Sequence, residues 1–188
     1  KTGEYYREKV EFPFFEYHLK GVGDGKFPKA RMFETGSNRW RSFDAWPPDG
    51  ANTSAYLSAG GKLVFGEKEA AAGADEFVSD PAKPVPHHVN IQPGMDREYM
   101  TADQRFAAMR PDVLVYQTPV LTEDTTVAGP VEVELYVSTT GTDADWVVKL
   151  IDVYPDDFPD LSPNPKELRM GGYQQLVRGE PFRGKFRN

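Results

Sequence analysis

Asp143 and Asp145 stand two positions apart in the loop Gly141-Thr142-Asp143-Ala144-Asp145. That spacing can bring two carboxylates onto one hard cation, with backbone carbonyls completing the shell. A full calcium loop needs more acidic positions and a downstream glutamate, and this stretch has neither. Calcium ligation by Asp143 and Asp145 is therefore the weaker reading. The stronger is a hairpin turn with Gly141 at positive φ and aspartates bonding nearby amides. Asp156, Asp157 and Asp160 form a second acidic group, read as a solvated loop. His87 and His88 are adjacent, and neighbouring side chains on extended backbone point to opposite sides, which argues against shared metal ligation. His18 falls within a helical pattern and reads as a surface or packing residue. No metal and no cofactor is expected.

Nucleophilic chemistry fares no better. A hydrolase serine needs the G-x-S-x-G elbow, and none of Ser37, Ser42, Ser54, Ser58, Ser79, Ser138 and Ser162 sits in that frame. The absence of cysteine removes disulfides, thiolate zinc sites and a cysteine nucleophile. Trp40, Phe43 and Trp46 are close enough in sequence to offer a sugar-stacking platform, but packing is the preferred reading.

The 188 residues suffice for one domain with a core, or a domain with a small appendage. A net charge of −7 argues against a nucleic-acid partner, which needs a clustered basic face. Arg178, Arg183, Lys185 and Arg187 are read as a solvated tail. No apolar run approaches the roughly 20 residues of a membrane helix. The chain opens on Lys1, and is expected to be cut from something longer.

One helix is expected, over TGEYYREKVEFPFFEYHLKG. Tyr6, Val10, Phe14 and Tyr17 recur at helical spacing, Thr2 can cap it and Gly21 can end it. Pro13 should kink it or open its second half. Hairpins follow at Ala30–Phe43, around Thr35–Asn38, and at Tyr56–Phe65, around Ala59–Gly61. A loop spans Glu67–Pro81, with a strand at Glu76–Val78. A helical turn is expected at Thr101–Arg105. Further strands are expected at Asp112–Thr118, Thr126–Ser138, Trp146–Tyr154, Gly172–Val177 and Phe182–Phe186. Nine or ten short strands with no βαβ rhythm make an antiparallel sandwich or barrel. Trp146–Tyr154 is apolar on both faces, so both should be covered, with the N-terminal helix or its parent domain as the expected cover.

TADQRFAAMRPDVLVYQTPVLTEDTTVAGPVEVELYVSTTGTDADWVVKLIDVYPD resembles the C-terminal jelly-roll domain of the Xaa-Pro dipeptidyl-peptidase and cocaine esterase group of serine hydrolases. FETGSNRWRSFDAWPP and DPAKPVP resemble it too, and EFPFFEYHLKG is similar to the last helix of that group's α/β-hydrolase domain. Within the group the likeness points to alpha-amino-acid ester hydrolases and glutaryl-7-aminocephalosporanic acid acylases. The resemblance implies a mostly β fold: an antiparallel jelly-roll β-sandwich, galactose-binding-like and incomplete, with one helix from the hydrolase domain. Residues 1–21 would be that helix, 22–29 a linker and 30–188 the jelly roll, truncated at its C-terminus. It implies no catalytic residue here, because the triad belongs to the preceding domain. It implies that His87–Tyr99 approaches the active site, with His88, Asn90 and Tyr99 on the substrate-pocket wall. The implied partners are the α/β-hydrolase and cap domains and a small acyl ester, amide or peptide substrate. Open sheet edges would further imply a homo-oligomer or strand swap.

Overall fold

Proline decides the form of the first element. In a regular α-helix the N–H of residue 13 would bond the Lys9 carbonyl, and Pro13 has no N–H to give. The computed structural model describes residues 2–66, 73–90, 93, 94, 96 and 98–186. In it, α1 (Thr2–Tyr6) runs into one π turn (Arg7–Glu11), and α2 (Phe12–Lys20) begins with Pro13 in its first turn. Thr2 is thus the first helical residue. The Phe12 N–H reaches back to the Arg7 carbonyl, and the Arg31 guanidinium donates to the Lys9 carbonyl at 3.2 Å. Arginine therefore supplies the donor that proline removed. Replacing Arg31 by methionine keeps the stem and is expected to cost about 1 kcal/mol in urea denaturation. An unchanged midpoint would mean that water serves Lys9 equally well. Gly21 ends α2 at φ 69°, with its N–H on the Tyr17 carbonyl and the Val22 N–H on that of Glu16.

These helices belong to the first of two compact units, Lys1–Thr53 with Leu121–Glu134; the second is Ser54–Val120 with Leu135–Asn188. In the first unit β1 (Ala30–Glu34) and β2 (Arg39–Phe43) pair antiparallel, Ala30 opposite Phe43. Their turn is closed by Gly36 and by Asn38 at φ 56°. Glu34 accepts from Ser37 Oγ at 2.6 Å and meets Arg41 at 2.5 Å, and the two hold its carboxyl below the usual range. Trp40 stacks on Tyr5 at 5.0 Å and meets Phe33 edge-on at 5.5 Å. His18 lies among Phe14, Tyr17 and Phe27.

In the second unit β3 (Ala55–Ser58) and β4 (Lys62–Phe65) form a hairpin whose turn places Gly60 and Gly61 at φ 72°. β5 (Asp145–Val153) pairs with β6 (Gln174–Arg183). Leu150 faces Arg178 but Ile151 faces Leu176, so Val177 is the extra residue of a bulge. Lys149 shares its face with Val147 and Ile151; Trp146, Val148 and Leu150 share the other. The core gathers where the turn before α3 (Arg105–Ala108) meets the loop into β6. Ala107, Met170, Tyr173 and Leu176 are buried there, with Gln104 only 1% exposed. Arg105 ties the two together, donating to Asp103 at 2.6 Å, to the Gly171 carbonyl at 3.1 Å and to the Arg169 carbonyl at 2.9 Å. The Tyr173 hydroxyl donates to the Thr101 carbonyl.

Several expected strands do not form ladders. The architecture is mostly β and antiparallel, an incomplete sandwich with one helical segment at the N-terminus. Its ladders use six strands rather than nine or ten, in three pairs, and no barrel closes among the described residues. Residues 126–138 lie outside every ladder, with Tyr136 92% exposed. The apolar alternation of VEVELYV selects a face but cannot supply a neighbouring edge. Asp112–Thr118 contributes one bridge, Gln117 to Lys62. Glu76–Val78 is an exposed loop, and residues 67–72 lie outside the described residues. β6 continues past Val177 through Pro181, as a strand with an open edge allows, and residues 184–186 are a 3₁₀ turn instead of a strand. The helical turn falls at Arg105–Ala108, after a 3₁₀ turn at Tyr99–Thr101. Gly141 is not at positive φ, and the loop 140–144 leads into β5 without joining two paired strands. The middle of the Lys149 face of β5 is covered by residues 99–107 of its own unit, whereas Val147 stays 62% exposed.

Much apolar surface remains open. The accessible area is 15819 Å² for 21.1 kDa. A compact protein of that mass exposes about 9,000 Å², and two separate globules of half the mass about 11,000 Å². Phe12, Phe15 and Leu19 on α2, and Val147 and Val153 on β5, are among the exposed side chains. No helix among the described residues is long and apolar enough to cross a membrane.

Candidate functional site

Of the His87–Tyr99 stretch, residues 91, 92, 95 and 97 lie outside the described residues, and the described ends are tied to other segments. Upstream, Arg110 donates to the Lys83 carbonyl at 3.0 Å, while its fork grips Asp112 at 2.6 and 2.8 Å. The Arg110 hydrogen bonds hold the Asp112 carboxyl below its usual range. Downstream, Asp96 caps a turn: its carboxylate accepts the Glu98 N–H at 2.8 Å, and its carbonyl accepts that of Tyr99 at 3.3 Å. Glu98 in turn meets Lys166 at 2.5 Å. Elsewhere in the second unit the Tyr116 hydroxyl donates to Asp75 at 2.7 Å; burial, aided by that carboxylate, pushes the phenol up to about 12.

His88 Nδ1 accepts the Asn90 N–H at 3.1 Å and lies 3.4 Å from Asp96 Oδ2. The two contacts belong to different ring states. A bare Nδ1 accepts from the amide, whereas a protonated one donates to the carboxylate. The Tyr99 side chain takes a different neighbour. It lies flat against His87, with ring centroids 4.0 Å apart and planes 17° from parallel.

Beneath Tyr99 sits Lys149. Its Nζ lies 6.0 Å from the Tyr99 ring centre and 5.6 Å from that of Phe106, and donates to Gln104 Oε1 at 2.6 Å. Burial lowers the Lys149 pKa from the ordinary lysine value. Gly179 faces Lys149 across the ladder, and a Cβ there would stand 3.4 Å from Tyr99 Oη. That is ordinary van der Waals contact, so the Tyr99 hydroxyl lies directly beside this glycine. Neither Lys149 nor Gln104 was singled out from sequence as a site residue. The only signal was a lysine in the middle of an apolar strand.

The acidic pair is split. Asp143 Oδ1 accepts the Ala144 N–H at 2.9 Å, while Asp145 pairs with Arg183 at 3.2 Å. Asp160 accepts the Met170 N–H at 2.7 Å. No group of three or more His, Asp or Glu able to hold a metal ion occurs among the described residues. Trp40 is engaged by Tyr5 and Phe33, while Phe43 meets Trp46 edge-on at 5.6 Å. The three aromatics are packing elements more than a row of open faces.

The family described as the X-Pro dipeptidyl-peptidase C-terminal non-catalytic domain matches residues 23–181. Cocaine esterase of Rhodococcus sp. (strain MB1 Bresler) is 38% identical over 154 residues, which cover 76% of this chain and 27% of the esterase. The crystal structure of an aminopeptidase from a marine sediment archaeon, Thaumarchaeota archaeon, aligns over 100% of this chain and 30% of its own, at 39% identity and a TM-score of 0.81. This chain spans less than a third of the length of either.

Proposed function

This chain belongs to the X-Pro dipeptidyl-peptidase C-terminal non-catalytic domain family, and we propose that it serves a serine hydrolase by packing on the catalytic domain and walling part of the substrate pocket. The observation that carries the reading is the excess accessible surface, with aromatic rings of α2 and valines of β5 open to solvent. Burying such faces is the main driving force for association. The family match starts at residue 23, just beyond the Gly21 stop of α2. That supports placing residues 1–21 outside the matched domain, as a helix of the hydrolase domain; 22–29 as a linker and 30–188 as the jelly roll complete the reading.

In this reading the reaction is acyl transfer to serine and then to water. A histidine acts as base, and a backbone amide with a tyrosine hydroxyl stabilises the oxyanion, all from the catalytic domain. His88, Asn90 and Tyr99 contribute wall rather than chemistry. The scissile bond is an acyl ester, an amide or an Xaa-Pro peptide bond, and the choice is made by pocket residues of the catalytic domain.

The test compares this chain with the intact hydrolase. The chain alone is expected to show no turnover of acyl esters or Xaa-Pro amides, and to self-associate in light scattering. Clear turnover by the chain alone would overturn the non-catalytic assignment. A monodisperse monomer with a cooperative melt would overturn the need for a covering domain.

A further inference from the structure

We propose that Lys149 is a positioning residue that holds the His87–Tyr99 stack as a platform for a planar group of the substrate. The proposal rests on the reading of His87–Tyr99 as pocket wall. A continuous series of contacts supports it. Gln104 is buried and fixed, its Nε2 donating to the Ala102 carbonyl at 2.9 Å and its Oε1 accepting from Lys149 at 2.6 Å. Lys149 lies against one side of the Tyr99 ring, and His87 stacks on Tyr99 at 4.0 Å. His87 is an exposed residue. A flat, polarisable ring held on a fixed support favours stacking of another planar group.

The choice of lysine is informative. Lysines on strands usually carry the ammonium out to water. This one turns inward between two rings, which costs desolvation that a methionine of similar length would not incur. An ammonium so placed is attracted to the negative face of the tyrosine ring, a directional contact that a methionine would not make. Gly179 lies opposite Lys149 on β6, beside the Tyr99 hydroxyl.

The experiment uses the intact hydrolase carrying Lys149→Met with Gln104→Leu, so that the Gln104 oxygen is not left buried without a donor. Its crystal structure and its kcat/KM for a phenylacetyl ester against the acetyl ester of the same alcohol are measured. We expect His87 to leave Tyr99 and the aromatic-over-acetyl ratio to fall about three- to tenfold. A retained stack would overturn the positioning role, whatever the ratio does. A lost stack with an unchanged ratio would instead overturn the pocket-wall reading, leaving Lys149 as the brace of the stack. Tyr99→Leu, which leaves the Lys149–Gln104 bond in place, covers the case in which the double variant does not fold. It should lower the same ratio, and an unchanged ratio would overturn the platform.

Discussion

Alanine at position 171 is expected to destabilise the intact protein by about 3 kcal/mol, the high end for forcing a side chain into filled space. The cause is steric. A Cβ on Gly171 would overlap the Asp156 carbonyl oxygen, a backbone atom. That carbonyl has little room to withdraw. The neighbouring Pro155 carbonyl accepts the N–H groups of Phe158 at 3.0 Å and Gly172 at 3.1 Å, and the Tyr154 N–H is bonded to the Tyr173 carbonyl at 2.9 Å. Gly172 provides the control. It has φ 67°, but its Cβ would meet first the mobile end of the Asp156 side chain at 3.2 Å. Gly172→Ala should therefore cost about 1 kcal/mol, mainly in backbone strain. Urea denaturation of both variants in the intact protein decides the matter. Equal midpoints for the two would show that the Asp156 carbonyl yields easily.

Arg105→Met should cost about 2 kcal/mol by the same measurement. The guanidinium closes three contacts, to Asp103, the Gly171 carbonyl and the Arg169 carbonyl. Methionine keeps the stem but serves none of them. Asp103 would still accept the backbone N–H groups of Arg105 at 3.1 Å and Gln174 at 3.3 Å, which limits the loss. The side chain is 32% exposed, so solvent screening limits it further. Lysine should recover less than half, because one ammonium cannot reproduce a planar fork aimed at three acceptors. Full recovery by lysine would show that charge, not geometry, holds this joint.

The parts of the fold that depend on neighbours in sequence were legible. Gly60 and Gly61 in the Ala59–Gly61 turn announced the β3–β4 hairpin, and Thr35–Asn38 announced β1–β2. Pro13 announced a break, and Gly21 a stop. The apolar run after Asp145 was a strand, as expected. VEVELYV was misread because alternation describes which side a residue faces, and a ladder also needs a partner edge. The expected strands Gly172–Val177 and Phe182–Phe186 are one longer strand, Gln174–Arg183, in which Gly179 pairs in register with Lys149 and Pro181 with Val147.

The candidate site divides in the same way. The reading of His87–Tyr99 as pocket wall comes from the family resemblance, and the family match spans residues 23–181 as a whole. The split of Asp143 from Asp145 could not be read from spacing, since it depends on Arg183 arriving across the β5–β6 ladder. Lys149 could not be read as a brace either. Its meaning comes from Gln104 and Tyr99, 45 and 50 positions away in the chain. By itself the sequence determined the turns of the β1–β2 and β3–β4 hairpins, the helix break, the mostly β class and the lack of a nucleophile elbow, because these follow from backbone chemistry and local spacing. Only the tertiary structure decided which charges pair and which ring rests on which, because those contacts join segments that sequence order keeps apart.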